Sequence, residues 1–173
     1  MSKDFADEYR RYRANCEKAM VQIPDDALNQ ALGADNNSIA IIVRHISGNL
    51  ISRFTDFLSS DGEKEWRDRD SEFRDAKYAR QDIDEVWARG WAVLEAQLTA
   101  LKDEDLRKVV FIRGTPLTVH EALCRSLAHT ASHVGQIVLL ARLLSGGNWK
   151  TISIPKAMSH TYNQNPTLEK SPK

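Results

Sequence analysis

The chain has 173 residues, of which 42% are hydrophobic and 28% are charged, a balance that is ordinary for one globular domain with a sizeable core. Its 24 Lys and Arg residues equal its 24 Asp and Glu residues, so the basic excess of a nucleic-acid-binding surface is absent. No apolar run approaches the roughly 18–20 residues of a membrane span, and the polar N-terminal segment does not resemble a secretory signal, so we expect a cytoplasmic protein.

The first element that the sequence predicts is an amphipathic helix over residues 2 to 21. Its apolar residues recur at intervals of three and four, which is typical of a helix with one buried face; they are Phe5, Tyr9, Tyr12, Cys16, Ala19, Met20 and Ile23. Pro24 ends this helix, and a short helical turn follows over residues 25 to 30. The cap of the next helix is one of three polar residues, Asn36, Asn37 or Ser38.

A second helix is predicted over residues 38 to 59. Its core face is strongly apolar and consists of Ile39, Ile42, Val43, Ile46, Leu50, Phe54 and Phe57. Residues 63 to 80 are densely charged with alternating sign, and we interpret them as a long, solvated but ordered loop with one helical turn. Trp66 and Phe73 are the expected anchors of this loop to the core.

A third helix is predicted over residues 81 to 101, with an apolar face made of Ile83, Trp87, Trp91, Leu94, Leu98 and Leu101. Gly90 in its middle lowers helix stability by about 1 kcal/mol relative to alanine, and it permits close packing against a neighbouring helix. A further helical turn over residues 103 to 106 precedes a short strand at residues 109 to 112 and a turn at residues 113 to 116.

A fourth helix is predicted over residues 119 to 146. Thr118 and Glu121 have the spacing of a capping box just before an apolar run, and a glycine pair at the other end is typical of a helix C-terminus. The apolar stripe of this helix is formed by Leu123, Leu127, Ala131, Val134, Val138 and Ala141. The segment that follows is predicted to be irregular.

These elements together predict an all-α fold, a four-helix bundle with a short β excursion before the last long helix. We expect a single bundle domain over residues 1 to 165 and a mobile C-terminal tail over residues 166 to 173. Cys16 and Cys124 both lie on apolar helical stripes, which favours two buried free thiols and a reducing compartment.

Two histidines of the fourth helix, His129 and His133, are four residues apart and therefore lie on the same helix face. A third, His45, lies on the second helix at the border of its core face. Imidazoles from two facing helices can converge on one divalent cation, and three neutral ligands leave coordination positions free, as in a catalytic metal site. The alternative is that these are core or surface histidines whose spacing recurs by chance.

The segments around these histidines, residues 45–49 and 129–136, resemble the DinB/YfiT-like superfamily of metal-binding four-helix bundles, in a branch of unassigned function. Three further stretches are similar to it, namely residues 37–40, 61–70 and 149–156. The resemblance extends from about residue 5 to about residue 163. It implies a bundle with an unusual helix order, a homodimer, and a divalent metal held by His45, His129 and His133.

Asn49 and Gln136 each lie about one helical turn after a predicted ligand. Either amide can orient an imidazole or an incoming group, although polar residues that merely flank a helix interface are an equal alternative. Arg53 follows Asn49 by four residues and can bind an anionic substrate group, but a salt bridge to Asp56 or to a glutamate is the simpler interpretation.

The two remaining histidines are poor candidates for ligands. His120 precedes His129 by nine residues, which is about 13 Å along the helix axis and too far for a shared metal. His160 lies in the C-terminal segment and is at most a distant fourth ligand. We expect both to be surface residues.

The resemblance also implies the chemistry. Enzymes of the superfamily include thiol S-transferases and a thiol-dependent isomerase, so we expect a metal-dependent transferase that activates a small thiol for attack on a small electrophile. Zn²⁺ or Ni²⁺ is the expected metal, with Fe or Mn as alternatives. Two other functions stay open, a metal-dependent hydrolase and a non-enzymatic, stress-associated or partner-binding bundle. The expected partners are a second copy of the chain, the thiol and the electrophile, without nucleic acid or membrane.

Overall fold

The structure is a computed structural model that describes residues 2 to 167. It is mostly helical, with helices α1 (Ser2–Met20), α2 (Ile39–Phe54), α3 (Arg80–Ala100), α4 (Val119–Leu144) and the short α5 (Ser159–Asn163). Strands β1 (Val109–Ile112) and β2 (Thr115–Thr118) form an antiparallel hairpin between α3 and α4. Single 3-10 turns lie at Asp25–Asn29, Asp70–Phe73 and Asp103–Arg107. Most of the tail that we predicted to be mobile, residues 168 to 173, lies outside the described residues.

The ends of α2 show how local chemistry sets the length of a helix. Ser38 is its N-cap, because the Ser38 hydroxyl accepts a hydrogen bond from the backbone N–H of Ile41 at 3.3 Å. The helix ends at Phe54 rather than at the predicted residue 59, because Asp56 adopts a left-handed conformation with φ of 49°. Aspartate is among the few residues that tolerate this region, and the turn cannot continue a right-handed helix.

The start of α4 has the capping box that the sequence predicted. The Thr118 hydroxyl accepts a hydrogen bond from the Glu121 backbone N–H at 3.1 Å, and the Glu121 carboxylate accepts one from the Thr118 backbone N–H at 2.8 Å. Both bonds satisfy donors that a helix start leaves without partners. They fix the first turn of the helix that carries two of the candidate ligands.

The long helices pack in pairs, with the most extensive contacts between α2 and α3 and between α1 and α4. Gly90 of α3 brings two backbones together as predicted, since a Cβ at this position would lie 2.9 Å from Cα of Ser47 on α2. The core between the helices is apolar, and its largest fully buried side chains include Trp91, Tyr9, Leu28, Ile46, Leu50, Leu94, Leu123 and Ile137. Helix α2 also contacts α4, and this contact brings the candidate ligands together.

The structure corrects the prediction of the connection before α4. The turn is only Arg113 and Gly114, both with positive φ, and the chain then returns as β2, which we had not predicted. A two-residue loop of this kind matches the twist of an antiparallel hairpin. We had predicted Pro116 as part of the turn, and it is tolerated in β2 because a strand of a two-stranded sheet has a free edge. Helix α5 was likewise not predicted.

The two cysteines differ in environment. Cys16 is fully buried, and burial raises the pKa of its thiol. Cys124 is exposed, in contrast to the prediction, because it lies on the outer side of α4 with its sulfur 3.9 Å from the His120 ring. None of the described helices combines the length and the low polarity that crossing a bilayer requires.

Candidate metal centre

Helix α4 presents His129 and His133 side by side, as their spacing of four residues predicted. Their ring centroids are 4.5 Å apart and the ring planes are nearly perpendicular, at 79°. Both side chains are partly buried on the side of α4 that faces α2. The helical backbone alone therefore places these two imidazoles next to each other.

The third histidine comes from α2. His45 is only 5% exposed, and its ring centroid lies 5.1 Å from that of His129 and 5.0 Å from that of His133. One ring nitrogen from each of the three histidines lies within 4.8 Å of the others, close enough to hold a metal ion. The three residues that the sequence singled out thus meet in space, although His45 and His129 are 84 residues apart in the chain.

A buried carboxylate fixes the orientation of His45. The Nδ1–H of His45 donates to Oε2 of Glu72 at 2.9 Å, and because an ionised carboxylate only accepts, Nδ1 must carry the proton. The lone pair of His45 is therefore on Nε2, the atom that faces His129. Metal-ligating histidines usually donate their other N–H to a carboxylate or a carbonyl in this way.

Glu72 is itself held by Arg67 through two hydrogen bonds of 2.8 and 3.0 Å. The side chains of Glu72 and Arg67 are 9% and 3% exposed. Burial acts to raise the pKa of Glu72, but the hydrogen bonds from His45 and Arg67 outweigh it, so the pKa is lowered and the carboxylate stays charged. The two side chains form a buried, neutralised support behind His45.

Gln136 fixes the orientation of His133. The Nδ1–H of His133 donates to Oε1 of Gln136 at 2.7 Å, which leaves Nε2 of this ring as the available ligand. Of the two alternatives considered for Gln136, the hydrogen bond favours contact with a candidate ligand, in the geometry that holds an imidazole in one tautomer.

The facing nitrogens of His45 and His129 fit a shared cation. Their Nε2 atoms are 3.2 Å apart, and two nitrogens bound to one tetrahedral Zn²⁺ at its usual bond length are about 3.3 Å apart. Two lone pairs at this distance repel each other unless a proton or a cation lies between them. Nδ1 of His129 is buried without a hydrogen-bond partner in the described part of the chain, so the tautomer of this ring is not fixed by a hydrogen bond as those of His45 and His133 are.

The electrostatic environment keeps the rings of His129 and His133 neutral, which is the form that binds metals. Burial, together with the charges of the neighbouring histidines and of Arg67, lowers the pKa of His129 to about 4. Burial also lowers the pKa of His133, although its hydrogen bond to Gln136 opposes the change. At neutral pH both side chains therefore offer lone pairs rather than charges.

The other predicted residues lie in different places. Asn49 borders a pocket beside His45 and His129 but makes no side-chain hydrogen bond within residues 2 to 167. Arg53 pairs with Glu63 through two contacts of 3.1 Å, and not with Asp56. His120 and His160 are exposed and lie outside the histidine cluster, as expected.

The charged segment of residues 63 to 80 holds the residues that sequence reasoning missed. We predicted a solvated loop anchored by Trp66 and Phe73, but Trp66 is 60% exposed and is not an anchor. Phe73 is half-buried against the ring of His45, at 4.8 Å between centroids. The principal anchor is instead Glu72, and nothing in a run of alternating charges indicates which carboxylate is buried.

A glycine of α2 makes room for that carboxylate. A Cβ at Gly48, three residues after His45, would lie 2.2 Å from Oε1 of Glu72. No side chain larger than hydrogen fits while Glu72 stays in place. The sequence signal that could have indicated this buried carboxylate is a glycine on the helix, Gly48, together with a glutamate in the following loop.

One protein-family model matches the part of the chain that contains the four long helices. The sequence model of the family described as "Protein of unknown function (DUF1572)" matches residues 2–158, which include all four long helices and the three clustered histidines. Comparisons with curated proteins and with solved structures found no significant match. Because the match covers most of its length, the chain belongs to the DUF1572 family of proteins of unknown function.

Proposed function

We propose that this protein is a divalent-metal-dependent enzyme, built as a four-helix bundle of the DinB/YfiT-like type, that transfers a low-molecular-weight thiol to a small electrophile. The observation that carries the proposal is the convergence of three imidazoles from two helices within 4.8 Å of one another. Two of the three, His45 and His129, line a pocket. Three protein ligands beside a pocket are typical of catalytic rather than structural sites.

In this proposal each residue of the site has a definite task. His45, His129 and His133 hold the metal, for which Zn²⁺ or Ni²⁺ is our first choice. Glu72 and Gln136 hold two of the rings in the required tautomer. A divalent cation bound by three neutral ligands keeps its full charge, acts as a Lewis acid and lowers the pKa of a coordinated thiol.

The choice of a thiol co-substrate agrees with the side chains around the pocket. Among the described residues no cysteine, lysine or carboxylate lines it. Cys16 is buried in the core and Cys124 faces outward, so neither thiol is placed to attack a bound substrate. The Ser126 hydroxyl does line it and has no hydrogen-bond partner among the described residues, but a hydroxyl without an adjacent base is a weak nucleophile. In this proposal the nucleophile therefore comes from a second small molecule, the thiol.

A homodimer is part of the proposal. Leu139 and Leu143 lie one turn apart on α4 and are 58% and 62% exposed. Exposed apolar side chains that are neighbours on one helix are suited to contact a second copy of the chain. Sedimentation of the purified protein measures the oligomeric state directly.

The metal site is tested by elemental analysis of the purified chain and of two variants. We expect about one divalent ion per chain in the wild type and a large loss in His133→Ala, which removes one ligand. His160→Ala removes an exposed histidine outside the cluster and should retain the ion. Equal metal content in all three proteins would contradict the assignment of the ligands.

The chemistry is tested by S-conjugation of a model electrophile with a panel of small thiols, with and without added Zn²⁺ or Ni²⁺. We expect product only when metal and thiol are both present, and none from His133→Ala. Turnover that needs metal but no thiol would instead identify a hydrolase. No turnover with any thiol, by protein that contains its metal, would contradict an S-transferase.

A further inference from the structure

A small pocket beside the histidines has an unusual lining. Its volume is about 200 Å³, and His45 and His129 contribute to its wall. Five of the other lining residues are arginines, namely Arg53, Arg67, Arg69, Arg113 and Arg125. Among the described residues no aspartate or glutamate faces it. The pocket therefore concentrates positive charge beside two of the candidate metal ligands.

Three of these arginines form ion pairs with two carboxylates that do not line the pocket. Glu72 takes two hydrogen bonds from Arg67. Glu63 pairs with Arg53 and with Arg113, each at 3.1 Å. The lining thus keeps more positive than negative charge, and these three guanidinium groups are held in fixed positions around the pocket.

The other two arginines are available to a ligand. Arg125 makes no ion pair in the part of the chain that the structure describes. Arg69 has only Asp70 nearby, at 3.9 Å, and that carboxylate is 99% exposed, so solvent screens the pair. The guanidinium of Arg69 instead lies over the ring of Phe73, 4.8 Å from its centroid, which limits its motion.

The arginines around the pocket repel one another, and a bound anion would reduce this repulsion. Burial, assisted by the charges of Arg67 and Arg113, lowers the pKa of Arg53 in spite of its pair with Glu63. The same arginines oppose the binding of a cation at the histidines. A ligand with negative charge reduces both repulsions, so by linkage it and a bound metal should each strengthen the binding of the other.

We infer that this pocket binds the acidic group of a small substrate, a carboxylate or a phosphate, through Arg69 and Arg125, with the Asn49 amide as a further hydrogen-bond donor. Guanidinium groups recognise both kinds of oxyanion through paired N–H donors. The binding itself does not depend on a metal, whereas the statement that the anion is the substrate rests on the proposed function.

The size of the pocket limits the ligand. Its volume equals that of about seven water molecules at roughly 30 Å³ each. A carboxylate or phosphate with a few attached carbon atoms fills this space, and a larger molecule would extend into solvent. We therefore expect recognition of one acidic group and the reactive atoms next to it, rather than of an extended polyanion.

The test is isothermal titration of the full chain with inorganic phosphate and, separately, with succinate. Each titration is done on EDTA-treated protein and repeated after addition of Zn²⁺. We expect binding of at least one anion in both forms, and a loss of affinity of about fivefold or more in Arg125→Gln and in Arg69→Gln. Arg142→Gln is the matched control, since Arg142 is an exposed arginine of the same helix α4 that does not line the pocket.

The outcomes separate this inference from the proposed function. If neither anion binds in either form, or if all three variants bind like the wild type, the inference is overturned. An anion that binds to a chain that takes up no metal supports the pocket while contradicting a metal-dependent enzyme. Circular dichroism of each variant checks that the exposed substitutions leave the fold intact.

Discussion

At the scale of single residues, the site depends on side chains that never reach the metal position. His45 offers Nε2 because the Glu72 carboxylate accepts a hydrogen bond from its Nδ1–H, and Glu72 can be buried as a charged group because Arg67 neutralises it. Removal of one member leaves an uncompensated buried group. The ligand geometry is therefore set by a loop that follows α2 as much as by α2 itself.

Gly48→Ala tests this support without touching a ligand. The added methyl group would lie 2.2 Å from the Glu72 carboxylate, so Glu72 must move away from His45. We expect the affinity for Zn²⁺ to fall by about 10- to 100-fold, the usual cost of losing the hydrogen-bond partner of a metal-bound histidine. Competition with a chromogenic chelator measures the affinity.

A double-mutant cycle supplies the control for that experiment. In a Glu72→Ala background the carboxylate is already gone, so adding Gly48→Ala should cost little further affinity. Equal losses in both backgrounds would mean that Gly48 acts through α2 itself and not through Glu72.

At the scale of elements, helix spacing depends on one glycine of α3. Ala at position 90 would place its Cβ 2.9 Å from Cα and 3.2 Å from the carbonyl oxygen of Ser47, and backbone atoms cannot move aside as a flexible side chain can. We expect Gly90→Ala to lower the free energy of unfolding by about 1–3 kcal/mol, even though alanine is the better helix former.

Gly135→Ala on α4 is the matched comparison for that substitution. Its Cβ would meet no atom within 4 Å, so only the helix propensity changes. Stability should rise by up to about 1 kcal/mol. Urea unfolding of the two variants beside the wild type measures both changes, and opposite signs are the expected result.

The elements that the sequence predicted well are those decided by local chemistry. Apolar residues at helical spacing, Pro24 after α1 and the capping pair before α4 placed all four long helices to within a few residues except at the end of α2. That end was wrong because the apolar stripe continues to Phe57 after the backbone has turned at Asp56. Only the first strand of the hairpin was predicted, because residues 115 and 116 were assigned to the turn, whereas Pro116 is tolerated in a strand with a free edge.

The site was predictable only in part for a related reason. Helical periodicity places His129 and His133 on one face whatever the rest of the chain does. The approach of His45 depends on how α2 packs on α4, which the resemblance implied and the spacing alone did not. Glu72, the hydrogen-bond partner of His45, comes from a loop, and a loop has no sequence periodicity that indicates which side chains are buried.

At the scale of the whole molecule, Asp61 joins the loop after α2 to the hairpin before α4. Its carboxylate accepts backbone hydrogen bonds from Glu63 at 2.7 Å, from Arg113 at 2.9 Å and from Gly114 at 2.8 Å. Burial acts to raise the pKa of Asp61, but these hydrogen bonds outweigh it and the pKa lies below its ordinary value of 3.8. As the pH falls, Asp61 is therefore protonated at a higher pH in the unfolded chain than in the folded chain.

The sign of the pH dependence follows from that difference. The contribution of Asp61 to stability is complete above the pKa of the unfolded chain and is lost as the pH falls below it towards the folded value. We expect Asp61→Asn to be less stable at neutral pH and to lose less stability on acidification below about pH 4. Urea unfolding at a series of pH values measures this, with Asp70→Asn, whose carboxylate is 99% exposed, as the control that should follow the wild type.

The wide separation of His45 from His129 along the chain has a consequence for maturation. The partners of His45 are 27 and 84 residues away, so they meet only after α2, the following loop and α4 have all docked. A growing or partly folded polypeptide can present at most the local pair on α4, and two imidazoles hold an ion far less firmly than three. In the proposed metal site, the complete set of three ligands would therefore exist only in the folded chain.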